Sequence, residues 1–281
     1  MSKIGRISTS GTVTEYATPT ANSGPMSVAL GSDNNIWFTE NTAGKIGKIT
    51  PAGVITEYTS PNFFRPWLIT AGPDGALWFT DQSSGDVGRI TTAGVASTEI
   101  TLPGQGISQT REPYGITTGP DGNLWVADFL GAIDKVTTGG TVTQYLVGSR
   151  EASDITTGPD GALWFSLSFN YSIGHITTAG VATYFPTPQV GSRSYSQGIA
   201  TGGDGAVWFA LRASAVGRIT TAGTVTECPT PTQIVGGTSL PFGITAGPDA
   251  AMWFTENSAG KIGRIALSSV TSSRRQPMQR R

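Results

Sequence analysis

Apolar and polar positions along this chain alternate in short runs separated by glycine-rich turns, and the runs repeat. Residues 72–80, Gly-Pro-Asp-Gly-Ala-Leu-Trp-Phe-Thr, have near-copies at 119–125, 158–164, 202–208 and 247–253, and a looser one at 31–37. The central tryptophans fall at 37, 78, 125, 164, 208 and 253, spaced by 41, 47, 39, 44 and 45 residues. A period in that range marks a propeller or a repeat array. Within a copy, Pro-Asp-Gly predicts a tight turn, because proline presets φ and glycine accepts positive φ. Leu-Trp-Phe-Thr then resumes as a strand, so the unit reads as a hairpin.

Four segments emerge when the copies are aligned: Gly-Ile-Thr (as at Gly115), the tryptophan strand, Lys-Ile-Gly-Arg-Ile (as at Lys261), and Val-Ile-Thr-Glu-Tyr (ending at Tyr58). Ile-Gly-Arg-Ile alternates as a half-buried strand does, and its glycine predicts close approach of a neighbouring strand or a bend. No segment carries helical periodicity over ten or more residues. The fold expected is all-β: a propeller of four-stranded antiparallel blades around a central channel. Six tryptophan strands predict six blades, with seven as the alternative in a longer parent. Lys3–Ile7 and Thr12–Tyr16 read as third and fourth strands, and Thr12–Tyr16 is expected to complete the blade of Trp253. One propeller domain is expected over residues 1–268, followed by a disordered basic tail at 269–281.

Composition narrows the classes. Charged residues make up 13% of the chain, against 38 glycines and 17 prolines, a profile of many short strands and turns rather than disorder. A net charge of −1 gives no reason to expect nucleic acid. No apolar run reaches membrane-spanning length and no signal-peptide core is seen, so a cytoplasmic monomer is expected, with a shortened N-terminus reading the same way. Cys228 is the one cysteine, which excludes an internal disulfide, and it reads as a strand residue. His175, the one histidine, takes the arginine slot of a third strand and is expected to point away from the channel mouth.

Candidate chemistry lies where blades differ. Directly before the Gly-Ile-Thr position stand Met26, Trp67, Tyr114, Ser153, Gln197 and Phe242. Two positions earlier come Gly24, Arg65, Glu112, Glu151, Tyr195 and Leu240. Blade symmetry puts each set in a circle. Trp67, Tyr114, Gln197 and Phe242 are expected around the mouth, with Arg65, Glu112 and Glu151 on its rim. That is the form of a small-molecule or cyclic-peptide site. Glu40, Asp81, Asp128 and Glu256, three positions after their tryptophans, read as framework acids, with a ring around a hard cation as the alternative.

The repeat, from Gly-Ile-Thr-x-Gly-Pro-Asp-Gly through Lys-Ile-Gly-Arg-Ile-Thr to Glu-Tyr, resembles the streptogramin B lyase (virginiamycin B lyase) family over about residues 3–266. The resemblance implies a propeller, seven-bladed in that family, and an enzyme that opens a cyclic depsipeptide by magnesium-assisted elimination. It also implies histidines and glutamates at defined slots. Here those slots hold Gln197, Leu240, Phe242 and Asn257, with Glu256 one residue before the last. The only Glu-Pro-x-Gly-Ile is Glu112–Ile116, with Tyr114 in the place of the base. The reading is therefore a binding or scaffold propeller without a cofactor and with no catalytic or metal-binding residue assigned. A lyase using magnesium is the alternative, and a purely structural or engineered propeller the third.

Overall fold

The Pro-Asp-Gly turns fold as their chemistry requires. Gly75, Gly122 and Gly161 all take positive φ, and each turn aspartate accepts the indole N–H of its tryptophan, as Asp74 does from Trp78 at 2.9 Å. The second carboxylate oxygen of Asp74 takes Arg89 Nε of the third strand at 2.7 Å. Asp204 and Asp249 repeat the arrangement with Arg218 and Arg264. His175 occupies this arginine position as expected, its Nε2 3.2 Å from Asp160 and its ring against Trp164. The computed structural model describes all residues except 1, 98, 105–110, 149–150, 169, 188–195, 212–214, 231, 233–238 and 268–281; the side chains of 196 and 197 are likewise undescribed. The expected tail at 269–281 lies outside the described residues.

Six blades follow in chain order. Blade 1 is β3 (Pro25–Leu30), β4 (Ile36–Glu40), β5 (Lys45–Ile49) and β6 (Ile55–Thr59). Blade 2 is β7 (Pro66–Ala71), β8 (Leu77–Asp81), β9 (Asp86–Ile90) and β10 (Ile100–Thr101). Blade 3 is β11 (Pro113–Thr118), β12 (Leu124–Asp128), β13 (Ala132–Val136) and β14 (Val142–Leu146). Blade 4 is β15 (Ala152–Thr157), β16 (Leu163–Leu167), β17 (Ser172–Ile176) and β18 (Ala182–Pro186). Blade 5 is β19 (Ser196–Thr201), β20 (Ala206–Leu211), β21 (Ala215–Thr220) and β22 (Val225–Pro229), which contains Cys228. Blade 6 has three strands, β23 (Pro241–Ala246), β24 (Ala251–Glu256) and β25 (Lys261–Ala266). All pairings are antiparallel, and first strands lie side by side from β3 through β23. Among the described residues no helix is long and apolar enough to cross a membrane.

The core sits between blades. The second-strand tryptophans of blades 1–5 pack against the next blade: Trp37 with Phe79, Trp78 with Val126, Trp125 with Phe165, Trp164 with Phe209 and Trp208 with Phe254. All five indoles are buried. Removing such a ring from water is worth roughly 2–3 kcal/mol, so these interfaces hold the propeller together. In five of the six blades the glycine inside the third strand makes room for an aromatic ring rather than for a bend; blade 3 has Asp134 there, opposite Val126. A Cβ on Gly47 would lie 2.1 Å from the Phe38 ring, and one on Gly88 2.2 Å from Phe79.

The expectation that Thr12–Tyr16 closes blade 6 is corrected. β1 (Lys3–Ile7) pairs with β2 (Val13–Ala17), with Lys3 bonded to Glu15, and β25 has no fourth-strand partner among the described residues. Ile4 and Tyr16 instead cover Phe38 and Ile49, the side of blade 1 that no tryptophan strand reaches. Apolar burial on Phe38 decides the placement. Trp253 is consequently only half-buried and faces a space shared with Gly5, Ile7 and Val13.

Candidate functional site at the channel mouth

The variable ring is positioned by the repeated framework. Every first strand changes register at this level, between Pro66 and Ile69 in blade 2 and between Pro113 and Ile116 in blade 3. A bulge of this kind re-aims a side chain. Thr39 Oγ1 accepts the amide of Ser27 in its own blade at 3.1 Å and donates to the Trp67 carbonyl of the next at 2.7 Å. Thr80 Oγ1 does the same for the amide of Leu68 at 3.2 Å and the carbonyl of Tyr114 at 2.8 Å. Rim residues are tied by their carbonyls. Gln82 N–H donates to Arg65 at 3.2 Å, and Phe129 and Ser168 donate to Glu112 and Glu151 at 2.9 Å.

Of the expected ring, Trp67, Tyr114 and Phe242 line one cavity of about 560 Å³, together with Met26 and Ser153. Trp67 and Tyr114 meet edge to face with centroids 5.5 Å apart, and Tyr114 stacks on Phe129 at 5.0 Å. Gln197 lies in β19, but its side chain is outside the described residues, as is Tyr195. Arg65, Glu112 and Glu151 are not among the lining residues. Arg65 and Glu112 are exposed, and Arg65 donates to Asn41 at 3.4 Å. Burial, and then the Glu112 charge, pushes the Tyr114 phenol up, which keeps it protonated at neutral pH.

Three of the four framework acids serve their own blades. Asp81 Oδ2 accepts the amides of Phe64 and Arg65, both at 2.8 Å. Asp128 and Asp134 hold the buried Arg111, with contacts of 3.2 and 2.8 Å. Glu256 accepts from Thr232 at 2.6 Å. Among the described residues, no three His, Cys, Asp or Glu side chains converge as a metal site. Of the four slots the resemblance assigns, Leu240 and Phe242 offer no donor atom and Gln197 and Asn257 only neutral amides, a set without a carboxylate or imidazole that does not fit a magnesium ion.

One lining residue was missed by sequence reasoning. Asp154 stands in the Gly-Ile-Thr slot, where other blades have Ser27, Leu68, Gly115, Gly198 and Gly243. Its Oδ1 accepts from Ile155 N–H at 2.9 Å and its Oδ2 from Ile199 N–H of the next blade at 3.1 Å. Burial pushes its carboxyl up to about 7 despite both amides. A charged residue in a slot of small or apolar ones was the signal available in the aligned repeats.

Fold and cavity define a repeat propeller with a ligand-sized central chamber whose walls differ from blade to blade. The sequence profile of the virginiamycin B lyase family matches residues 1–109 and 106–280, and the chain belongs to that family. It is similar to the virginiamycin B lyase of Staphylococcus aureus, at 36% identity, TM-score 0.81, and coverage of 89% of this chain and 83% of that one. The same figures hold for a catalytically inactive histidine-to-alanine variant of that enzyme with quinupristin. A streptogramin B lyase structure matches at 31% identity and TM-score 0.79, over 90% of this chain and 86% of that one. No match was found among curated proteins.

Proposed function

We propose that this protein is a binding propeller that takes a mostly apolar or aromatic small molecule or cyclic peptide in its central cavity. The observation that carries the reading is the cavity wall, where Trp67, Tyr114 and Phe242 converge. Repeated framework residues are shared by all blades and give no specificity, whereas this ring does. Binding is expected to need no cofactor, nucleic acid, membrane or second subunit, in a cytoplasmic monomer. Arg65, Glu112 and Glu151 would meet a ligand only where it extends beyond the cavity, and Gln197 is assigned to the same ring by blade symmetry.

Kinship to streptogramin lyases favours a second reading, ring opening of a cyclic depsipeptide. Histidine matters in the S. aureus relative, whose histidine-to-alanine variant is catalytically inactive. The single histidine here is held by Asp160 in an outer strand. That placement, with Leu240 and Phe242 at the implied catalytic slots, supports binding without the reaction.

Screening small molecules and cyclic peptides by thermal shift tests the reading. Trp67→Ala is expected to keep the fold, because Trp67 lies outside the repeated inter-blade core, and to weaken hits by about 2 kcal/mol or more as a buried anchor would. Hits indifferent to Trp67, Tyr114 and Phe242 alike would place the site elsewhere.

A further inference from the structure

Asp154 brings a carboxylate into the wall of a cavity otherwise lined largely by aromatic and aliphatic groups. Its structural duty, accepting the amide of the following blade, does not require a charge. In blade 1 the neutral hydroxyl of Ser27 occupies that position 3.4 Å from Ile69 N–H. Glycine fills the position in three other blades. At Gly115 a Cβ would lie 2.7 Å from the Asp154 Cα, and at Gly198 2.6 Å from the Phe242 carbonyl oxygen, so close strand approach, not an acceptor, sets those positions. A carboxylate placed here is costly to desolvate unless something pairs with it.

The described surroundings supply no such partner. Among the described residues, none of the ion pairs includes Asp154. The strands packed on β15 are β11, β12, β16 and β19. Their titratable side chains are Tyr114 on β11 and Asp128 on β12, with none on β16 or β19. The segments leading into β11 and β15 add Glu112 and Glu151; of the described cations on that side, Arg111 is held by Asp128 and Asp134, and Arg65 is exposed on the rim, where its charge acts on Tyr114. Each Asp154 oxygen spends one lone pair on an amide and keeps another. Among the described residues, then, no cation is paired with Asp154, which stands beside rings whose faces attract cations.

We propose that Asp154 is a recognition point for a cationic nitrogen, so that the cavity's ligand class is the amphiphilic amine. Its apolar or aromatic body rests on Trp67, Tyr114 and Phe242, and its ammonium group donates to Asp154. The inference rests on the cavity being the ligand site. Because burial holds the free carboxyl near pH 7, an amine charged throughout binds more tightly as pH rises through that value, with release of the proton.

The test compares 2-phenylethylamine with its uncharged analogue 2-phenylethanol, titrated against the full chain and followed by NMR on the indole N–H signals. The Trp67 signal is identified by its loss in Trp67→Ala. At pH 8 the amine is expected to bind roughly tenfold more tightly than the alcohol, the scale of one charge-assisted hydrogen bond. At pH 5.5 the advantage should fall below about threefold as the carboxyl takes up its proton. Asp154→Asn keeps an acceptor for Ile199 and removes the charge, so it should abolish the advantage at both pH values; a purely structural role would leave the ratio unmoved. Should that variant fail to fold, the wild-type comparison at two pH values still decides. Equal binding of both probes at pH 8 overturns the inference and leaves the apolar cavity standing. Failure of both probes to move the Trp67 signal overturns the inference and the binding reading together.

Discussion

Glu99 occupies in blade 2 the repeat position that Glu57 holds in blade 1. Glu57 has a partner, Lys45, at 2.8 Å. The residue corresponding to Lys45 is Asp86, so Glu99 faces acids. Burial, then the charges of Asp81 and Asp86, push its carboxyl up to about 8. A carboxyl raised in the folded state holds its proton longer there than in the unfolded chain. Its contribution is therefore favourable at low pH and is lost as pH rises from the ordinary glutamate range through about 8. Glu99→Gln is expected to raise the thermal midpoint over wild type more at pH 8.5 than at pH 5, measured by calorimetry. An equal gain at both values would mean that the charge is not the cause. Asp154 shows what was and was not legible at this scale. Its slot could be read from the aligned repeats, but its position in the cavity wall depends on contacts with Ile199, 45 residues away.

At the scale of elements, the tryptophan strand does more than its hydrophobic pattern indicates. The apolar run after the turn announced the strand, and the turn residues announced the hairpin, and both are found. What the pattern did not give was the work of the threonine after Trp-Phe, since a hydroxyl facing its own blade and the next looks in sequence like ordinary strand composition. Thr80 joins β8 to the bulge of β7 and to the carbonyl of Tyr114 in β11. Thr80→Val keeps the shape and leaves one amide and one carbonyl without that partner, a loss of about 1–3 kcal/mol. Chemical denaturation is expected to show that loss, and binding at the cavity should weaken because Tyr114 loses its tether. An unchanged midpoint would show that water or relaxation replaces both bonds. The glycine of the third strand in five blades was also partly legible, as a crowded position, but pairings such as Gly47 with Phe38 show that a ring causes the crowding.

The whole molecule was legible in its blade count and much less so in its closure. Periodicity of the tryptophans reports the blades directly, because the indoles of blades 1–5 are each buried against the next blade. Closure depends on which of two surfaces β1 and β2 cover, and strand sequence alone does not rank them. Phe38 and Ile49 win over the open side of Trp253. The site follows the same division. Blade symmetry brings Trp67, Tyr114 and Phe242 together as the sequence led one to expect, while Arg65, Glu112 and Glu151 remain outside the cavity wall. The central proposal is that the family's fold is kept while the residues at its mouth are exchanged, since a fold carries many functions and the site decides among them.

Its most direct test is incubation of the protein with quinupristin and magnesium, followed by chromatography coupled to mass spectrometry. Elimination opens the ring without changing the mass, so the product is sought as an isomer with altered retention and fragmentation. The account expects no ring opening above the rate without protein. Catalytic turnover, abolished by Tyr114→Phe or Glu112→Gln, would contradict it and show that the reaction has moved to another blade.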